Sequence, residues 1–342
     1  MQKFEKHSPV VVTEVTTKHE LRQFMQYPNR LYADNPNYIP SFYGDDLSDW
    51  TPGKNPAFDY CEARCWLAWR DGEIVGRIGA ILSHKANDKF GTHRMRFSQV
   101  DFVDDSEVSA ALFGMVERWA REKGCDQVHG PLGFTDMDRE GMLVEGFDRR
   151  SLFFTNYNAP YYLEHLTRLG YRKDVDWIEY RITVPAPGSA EAERLHKLSE
   201  FILKRKNLHV ATVHHKSEYG PFVRQVFELV NAAYAPLYGV VELSDEQIER
   251  YANKFIPLVD PEFVCFVLDK QDKLVAFGVT ALDPSVALKH SDGRLFPFGW
   301  AGVLNDLHHS DTLIMLLTAV RPDLQTEGIN AVMMDHVCQS CN

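Results

Sequence analysis

The chain has 342 residues, 44% of them hydrophobic, and a net charge of −11 at neutral pH. That is enough apolar material for two packed cores, and the acidic balance argues against nucleic acid or an anionic membrane surface as the main partner, since either needs a clustered basic face. The opening MQKFEKHSPVVV has no apolar h-region and the longest apolar stretch, Leu313 to Val320, is strand-sized, so the expectation is a cytoplasmic chain with no secretory signal and no transmembrane segment.

In chain order, the first legible element is a hairpin from Cys65 to Leu82, in which two alternating strands flank an Asp71-Gly72 turn. A strand over Phe97 to Val103 follows, then a helix over Glu107 to Lys123. That helix has Asp104, Asp105 and Ser106 as cap candidates, Gly124 as a stop, and a one-sided stripe of Val108, Ala111, Leu112, Met115, Val116 and Trp119. A short strand at Asp126 to His129 leads into a polar, aromatic loop containing Asp136, Asp138, Glu140, Glu145 and Asp148. The segment YYLEHLTRLGY and a final strand over Trp177 to Val184 close the first lobe.

Pro185, Pro187, Gly188 and Ser189 introduce a linker and a helix over Ala190 to Lys206. The second lobe then carries a strand near His209 to His214 and helices at Phe222 to Ala233 and Asp245 to Lys254. A second hairpin over Phe263 to Leu282, the strand Leu313 to Val320 and a helix from Glu327 onward complete it. Hairpin, insertion, strand and helix thus occur twice in the same order, each hairpin with a glycine early in its second strand, Gly76 and Gly278, where a bulge or close backbone approach is expected. The expected domains are 1–184, a linker and helix at 185–206, and 207–342. Against the first lobe as a ruler, the second reads as incomplete at its C-terminal end.

Six cysteines scattered along the chain suit a reducing compartment. Cys338 and Cys341 form a CxxC without the second pair that a metal site needs, and His214-His215 and His308-His309 are adjacent residues that face opposite ways on a strand, so no metal is expected. No GxSxG, GxGxxG, P-loop or HExxH occurs, which removes the hydrolase, dehydrogenase, NTPase and zincin motifs.

The chemistry-bearing stretch is LIMLLTAVRPDLQTEGINAVMMDHV, a strand feeding a helix through a loop with Gln325 and Gly328. Unpaired N–H groups at such a helix start, beside the positive end of its dipole, form a phosphate cradle. Gly328 permits close backbone approach, Asn330 tolerates unusual dihedrals, and Arg321 at the strand exit can add a cation.

Gln325-Thr326-Glu327-Gly328-Ile329-Asn330 resembles the pyrophosphate loop of the GNAT superfamily of acyl-CoA N-acyltransferases, Gln or Arg, two residues, Gly, one residue, Gly or Ala, and departs from it at Asn330. YYLEHLTRLGYRKDVDWIEYRI is similar to the family's closing helix and strand, so the resemblance extends over both halves. It implies an α/β fold with mixed α+β sheets, in two tandem GNAT-like lobes similar to the paired lobes of aminoacyl- and myristoyl-transferases. It also implies acyl-CoA as co-substrate and direct attack of an amine on the thioester. The N–H groups near Thr318, Ala319 and Val320 would hold the thioester carbonyl and pantetheine arm. The first lobe has Asp104-Asp105-Ser106 where a CoA loop would lie, so it is the expected acceptor lobe for a small-molecule or lipid amine. In its polar loop Asp138 or Glu145 is the candidate base, and Tyr157, Asn158, Tyr161 and Tyr162 are candidate acceptor contacts. The alternative is a non-catalytic GNAT-like binding protein or an inactive fragment.

Overall fold

A computed structural model describes residues 8–341 as two compact units, Met1–Ile178 with Pro284–Val303, and Glu179–Asp283 with Leu304–Asn342. Division by packing therefore places residues 284–303, which lie between the hairpin and last strand of the second half of the sequence, with the first unit.

The first unit opens with β1 (Val11–Glu14) and α1 (Lys18–Leu31), the latter started by a capping box in which the Thr17 side chain accepts from Glu20 N and the Glu20 carboxylate from Thr17 N. After α2 (Tyr43–Asp49), β2 (Cys61–Arg70) and β3 (Glu73–Ser83) form the expected hairpin, with positive φ at both Asp71 and Gly72 (51° and 83°), the backbone that a two-residue turn requires. α3 (His84–Phe90), β4 (Arg94–Phe102), α4 (Ser106–Glu122), β5 (Gln127–His129) and α5 (Tyr162–Arg168) follow. The sheet runs in the order β1-β2-β3-β4-β5, antiparallel except for β5, which lies parallel to β4 only from Arg94 to Arg96.

Asp105 caps α4 by accepting from Glu107 N and Val108 N, and the apolar stripe of α4 closes one core: Val108, Leu112, Val116 and Trp119 pack with Trp66, Ile78, Phe97 and Phe102. Gly76 is the point of closest approach, because a Cβ there would lie 2.7 Å from Leu112 Cδ1. A second core on the other sheet face gathers Phe24, Trp50, Leu67, Ile81 and Phe134.

The second unit begins with α6 (Ala190–Lys206), β6 (His209–Val210), α7 (Gly220–Tyr234), α8 (Asp245–Phe255), β7 (Val264–Leu268) and β8 (Leu274–Leu282). In chain order α9 (Ser285–His290) and the first half of α10 (Gly299–His309) then belong to the first unit, and β9 (Leu313–Val320) and α11 (Ile329–Ser340) complete the second. Its sheet, β6-β7-β8-β9, is antiparallel throughout, and β9 is an edge strand among the described residues, where β4 of the first unit has β5 beside it. Ile329, Val332 and Met333 of α11 pack on Cys265, Val267 and Ala276, with Ile202 of α6 against them.

Some expectations change. Trp177 to Val184 is not a strand: residues 171–186 carry no regular structure, and Ile178 and Tyr180 are 70% and 77% exposed. Alternation alone does not make a strand, since its N–H and C=O groups need a partner strand, and none of those described pairs with it. Pairing of His209 to His214 stops at Val210, and α11 starts at Ile329 rather than Glu327, because Glu327 still belongs to the turn. Gly278 is not a tight spot, its Cβ position being 3.7 Å from Met333 Cβ. Among the described residues no helix is long and apolar enough to cross a membrane.

Candidate functional site

In both units the third strand of the hairpin-strand repeat carries a bulge. In the first unit Arg77 pairs with Asp101 and Gly79 with Ser98, so Ile78 faces two residues, Gln99 and Val100, and Gln99 takes a left-handed φ of 46°. In the second unit Val279 pairs with Leu317 and Thr280 with Met315, leaving Leu316 as the extra residue. A bulge bends the strand and re-aims its side chains and peptide groups at this level.

In the second unit β9 runs into a tight turn, in which Leu324 N donates to Arg321 O (2.8 Å) and Glu327 N to Leu324 O (3.3 Å). Thr326 and Gly328 follow with φ of 68° and 82°. Gly328 is the N-cap of α11. It offers no capping side chain, and the first turn holds no acid, so no side chain of the cap or first turn offsets the positive end of the helix dipole. A Cβ at Gly328 would sit 3.1 Å from Ile202 Cδ1, so glycine suits both the dihedral and the space. Ile329 is buried and anchors the helix start to its core.

The side chains around this loop are already paired. Gln325 Nε2 donates to Val320 O (3.2 Å), closing the loop on the strand. Arg321 donates twice to Asp323 (2.6 and 3.0 Å) and lies 3.8 Å from Asp269, so its charge is neutralised within the turn. Glu327 holds Lys206 at 2.6 Å, and that cation keeps its carboxyl below the usual range. Thr318 O accepts from Tyr234 OH (2.7 Å), and Ala319 is buried in the sheet.

The first unit has a small cleft beside its bulge, lined by Arg77, Gln99, Asp101, Arg139, Asn156, Asn158, Tyr38, Tyr157 and Tyr162 among others. Its floor is a buried charge pair on facing strand positions. Arg77 Nε and Nη2 both donate to Asp101 Oδ2 at 2.7 Å, and Nη1 donates to Phe24 O at 2.9 Å. Tyr32 OH donates to Asp101 Oδ1 (3.2 Å), and Tyr162 OH, which accepts from Phe102 N (2.9 Å), lies 2.7 Å from Tyr32 OH. The hydroxyl protons therefore run from Tyr162 through Tyr32 to Asp101. Burial pushes the Asp101 carboxyl up against the pull of Arg77, and pushes both tyrosines well above their ordinary range. Arg139, at the rim, is held by Asp46 at 2.8 Å.

Three of the four residues expected at an acceptor site, Tyr157, Asn158 and Tyr162, line this cleft. Tyr157 stands in an aromatic cluster with Tyr32 and Tyr38, while Asn158 staples the loop, accepting from Leu143 N and donating to Leu143 O and Ala159 O. Tyr161 is turned away, its hydroxyl donating to Phe102 O. Neither candidate base lines the cleft. The Asp138 carboxylate accepts from Phe134 N (2.7 Å) and Thr135 N (3.2 Å) as a turn cap, and Glu145 is exposed. The acids of this loop that burial pushes up are Asp136, to about 6, and Glu140, to about 8; each has a buried oxygen without a hydrogen-bond partner. Glu140 is flanked by the cleft residues Arg139 and Gly141.

The sequence signal for Arg77 and Asp101 is a charge set between apolar neighbours within a strand, Gly76 and Ile78 for the one and Val100 and Phe102 for the other, at positions that need a partner once buried. Tyr32 gave no such signal, since α1 supplies it from far away in the chain.

No family model matches the chain. It is 28% identical to Protein YghO of Escherichia coli (strain K12) over 329 residues, 94% of this chain and 82% of that one. It is also 28% identical to the bacterial ceramide synthase of Caulobacter vibrioides (strain NA1000 / CB15N) over 300 residues, 86% of this chain and 75% of that one. Among solved structures, it superimposes with a TM-score of 0.52 and 10% identity on the GCN5-related glucosamine N-acetyltransferase region of a fungal multi-domain GH3 beta-N-acetylglucosaminidase, over 99% of this chain and 34% of that one. The fold is that of the GNAT acyltransferases, as the repeat and the loop implied.

Proposed function

We propose that this chain, a GNAT fold in two units, is an N-acyltransferase that moves an acyl group from acyl-CoA to an amine. The observation that carries this is the α11 start: an uncapped helix N-terminus behind a bulged strand, with Gly328 in a left-handed backbone conformation and no side chain of its own, which supports a phosphate seat there. The 28% identity to a protein named for ceramide synthesis supports an amide-forming reaction, and ceramide chemistry favours a long-chain amino alcohol as acceptor over a protein amine.

The amine nitrogen attacks the thioester carbon, the C–S bond breaks, the CoA thiolate leaves and takes a proton, and the amine gives one up. Peptide N–H groups of β9 around Thr318 to Val320 stabilise the oxyanion. Gln325 to Asn330 hold the pyrophosphate, with Gln325 fixing the loop to the strand. The first-unit cleft is assigned to the acceptor. Its Asp101, Tyr32 and Tyr162 chain is suited to an ammonium or hydroxyl headgroup, and the proton acceptor is one of the acids of the adjoining polar loop, Asp138 and Glu145 with Glu140 between them in sequence.

Titration calorimetry with acetyl-CoA and a long-chain acyl-CoA, joined to a free-thiol assay over a panel of amines, tests this. Heat with one acyl-CoA and thiol release with an amine are expected; neither heat nor thiol release with either donor would sink it. One observation favours a non-catalytic binding protein instead, namely that Arg321 is tied to Asp323 and adds no free cation to the loop. Heat without thiol release would select that alternative.

A further inference from the structure

The segment Pro284–Val303 lies outside both the CoA loop and the cleft, and it folds onto the first unit in a specific way. Its base is pinned. Lys289 Nζ donates to Asn35 O (2.5 Å) and Tyr38 O (2.9 Å), Asn29 Nδ2 donates to Asp292 O (3.0 Å), and Tyr43 N donates to Gly293 O (2.9 Å). Arg294 stacks over the Tyr43 ring, 5.3 Å from its centroid. The tip is internally closed as well, with Trp300 N donating to Leu295 O (2.8 Å) and Trp300 Nε1 to Pro297 O (3.1 Å).

On this fixed base the loop presents its apolar side chains to solvent. Phe296 and Phe298 are each 80% exposed, and Trp300 and Val286 are about half exposed. Two phenylalanines and a tryptophan within five consecutive residues, all exposed on a closed loop, leave a concentrated apolar surface uncovered. A floppy loop would fold such residues back; here hydrogen bonds at the base and within the tip hold them out.

We infer that the Arg294–Trp300 loop inserts into the headgroup region of a lipid bilayer, so that the enzyme meets a membrane-resident amine there. This rests on the acyl-transfer function with a lipid amine acceptor proposed above. Charge complementarity selects a bilayer over a protein groove. Between Asp292 and Asp306 there is no acid, and the one charge in that stretch is Arg294, exposed and in no ion pair among the described residues. That is an acid-free, singly cationic tip on a chain of net charge −11. Such a chain is repelled by anionic surfaces over most of its area, but its tip can enter a phosphate-bearing zwitterionic interface, with Arg294 on lipid phosphate and the aromatic rings at the acyl boundary. Projecting rings on a convex loop also fit between headgroups better than into a flat protein face. Insertion driven this way is apolar, so it should survive salt.

The test is co-sedimentation of the full chain with phosphatidylcholine vesicles at low and high salt, and of the double variant Phe296→Ser/Phe298→Ser. The wild type should bind at both salt concentrations, and the variant should lose at least about tenfold in partitioning, in proportion to the apolar surface removed. Its thiol release with a short, water-soluble amine should stay unchanged. In Phe298→Trp, a brominated phosphatidylcholine should quench more fluorescence than in the wild type. No wild-type association, unchanged association of the double variant, or absence of added quenching each overturns the inference. So does a wild type that dimerises in a Phe298-dependent way and ignores vesicles, which would make the loop a contact between copies. Vesicle binding is read without turnover, so a wild type that transfers acyl groups and does not bind vesicles refutes the loop alone, and one that binds vesicles without thiol release refutes the acyl-transfer function alone.

Discussion

Replacing Glu140 by Gln should change how the stability of the first unit depends on pH. Burial, with Asp136 and Asp138 nearby, lifts this carboxyl from an ordinary 4.5 to about 8, opposed only in part by Arg96, and Oε1 has no hydrogen-bond partner. In the unfolded chain the group titrates near its ordinary value. Between about 4.5 and 8, then, the folded state holds a proton that the unfolded state has released, and stability falls as pH rises through that window. At about 1.36 kcal/mol per pH unit the ceiling is roughly 5 kcal/mol, and relaxation and water entry bring the expected loss to about 2–4 kcal/mol. Glu140→Gln keeps the shape and removes the titration. It should match the wild type near pH 5 and exceed it by about 2–4 kcal/mol near pH 9. A residual slope up to about pH 6 should remain from Asp136. Urea unfolding followed by tryptophan fluorescence at fixed ionic strength over this range measures it. Equal pH slopes in both proteins, or a variant less stable than the wild type at pH 9, would refute the burial of an unpartnered carboxyl.

The Gln325 to Asn330 loop and the packing provide further tests. Gly328→Val puts a β-branched residue at a φ of 82° and a Cβ 3.1 Å from Ile202, so it should cost about 2 kcal/mol or more and weaken acyl-CoA binding at least about tenfold by calorimetry. Arg321→Ala should change that affinity by less than about threefold, because its charge is already spent on Asp323; a larger loss would show that the pair opens for the phosphates. Gly76→Val drives a Cβ to 2.7 Å from Leu112 and should destabilise by about 1–3 kcal/mol, whereas Gly278→Ala, with 3.7 Å of room, should cost under about 1 kcal/mol in the same unfolding assay. Asp101→Asn should raise the KM for the amine with little effect on acyl-CoA binding, and it leaves Arg77 buried without its counter-charge at a cost of about 3 kcal/mol or more.

What the sequence determined by itself was local. Asp71-Gly72 between alternating strands specified a hairpin because only a left-handed pair closes it. Asp105 and the Val108 to Trp119 stripe specified α4, and a glycine after a buried strand marked the α11 start. Each of these depends on a residue's own dihedral preference or on a short-range period. The Gln325 to Asn330 loop, set in an order of elements repeated in the two halves, carried the resemblance to the GNAT fold.

Tertiary structure decided what depends on partners distant in the chain. Trp177 to Val184 has the alternation of a strand, yet it joins neither sheet among the described residues. Asp138 looked like a base until Phe134 N and Thr135 N turned it into a cap. Asp101 became the centre of a cleft only when a bulge at Gln99 set it opposite Arg77 and α1 delivered Tyr32. Burial and pairing are properties of the packed chain, and they set which of several like carboxyls is a turn cap, an ion-pair partner or a group whose titration is pushed up by burial. The pattern of residues says that such groups exist, and only the three-dimensional neighbourhood assigns their charge.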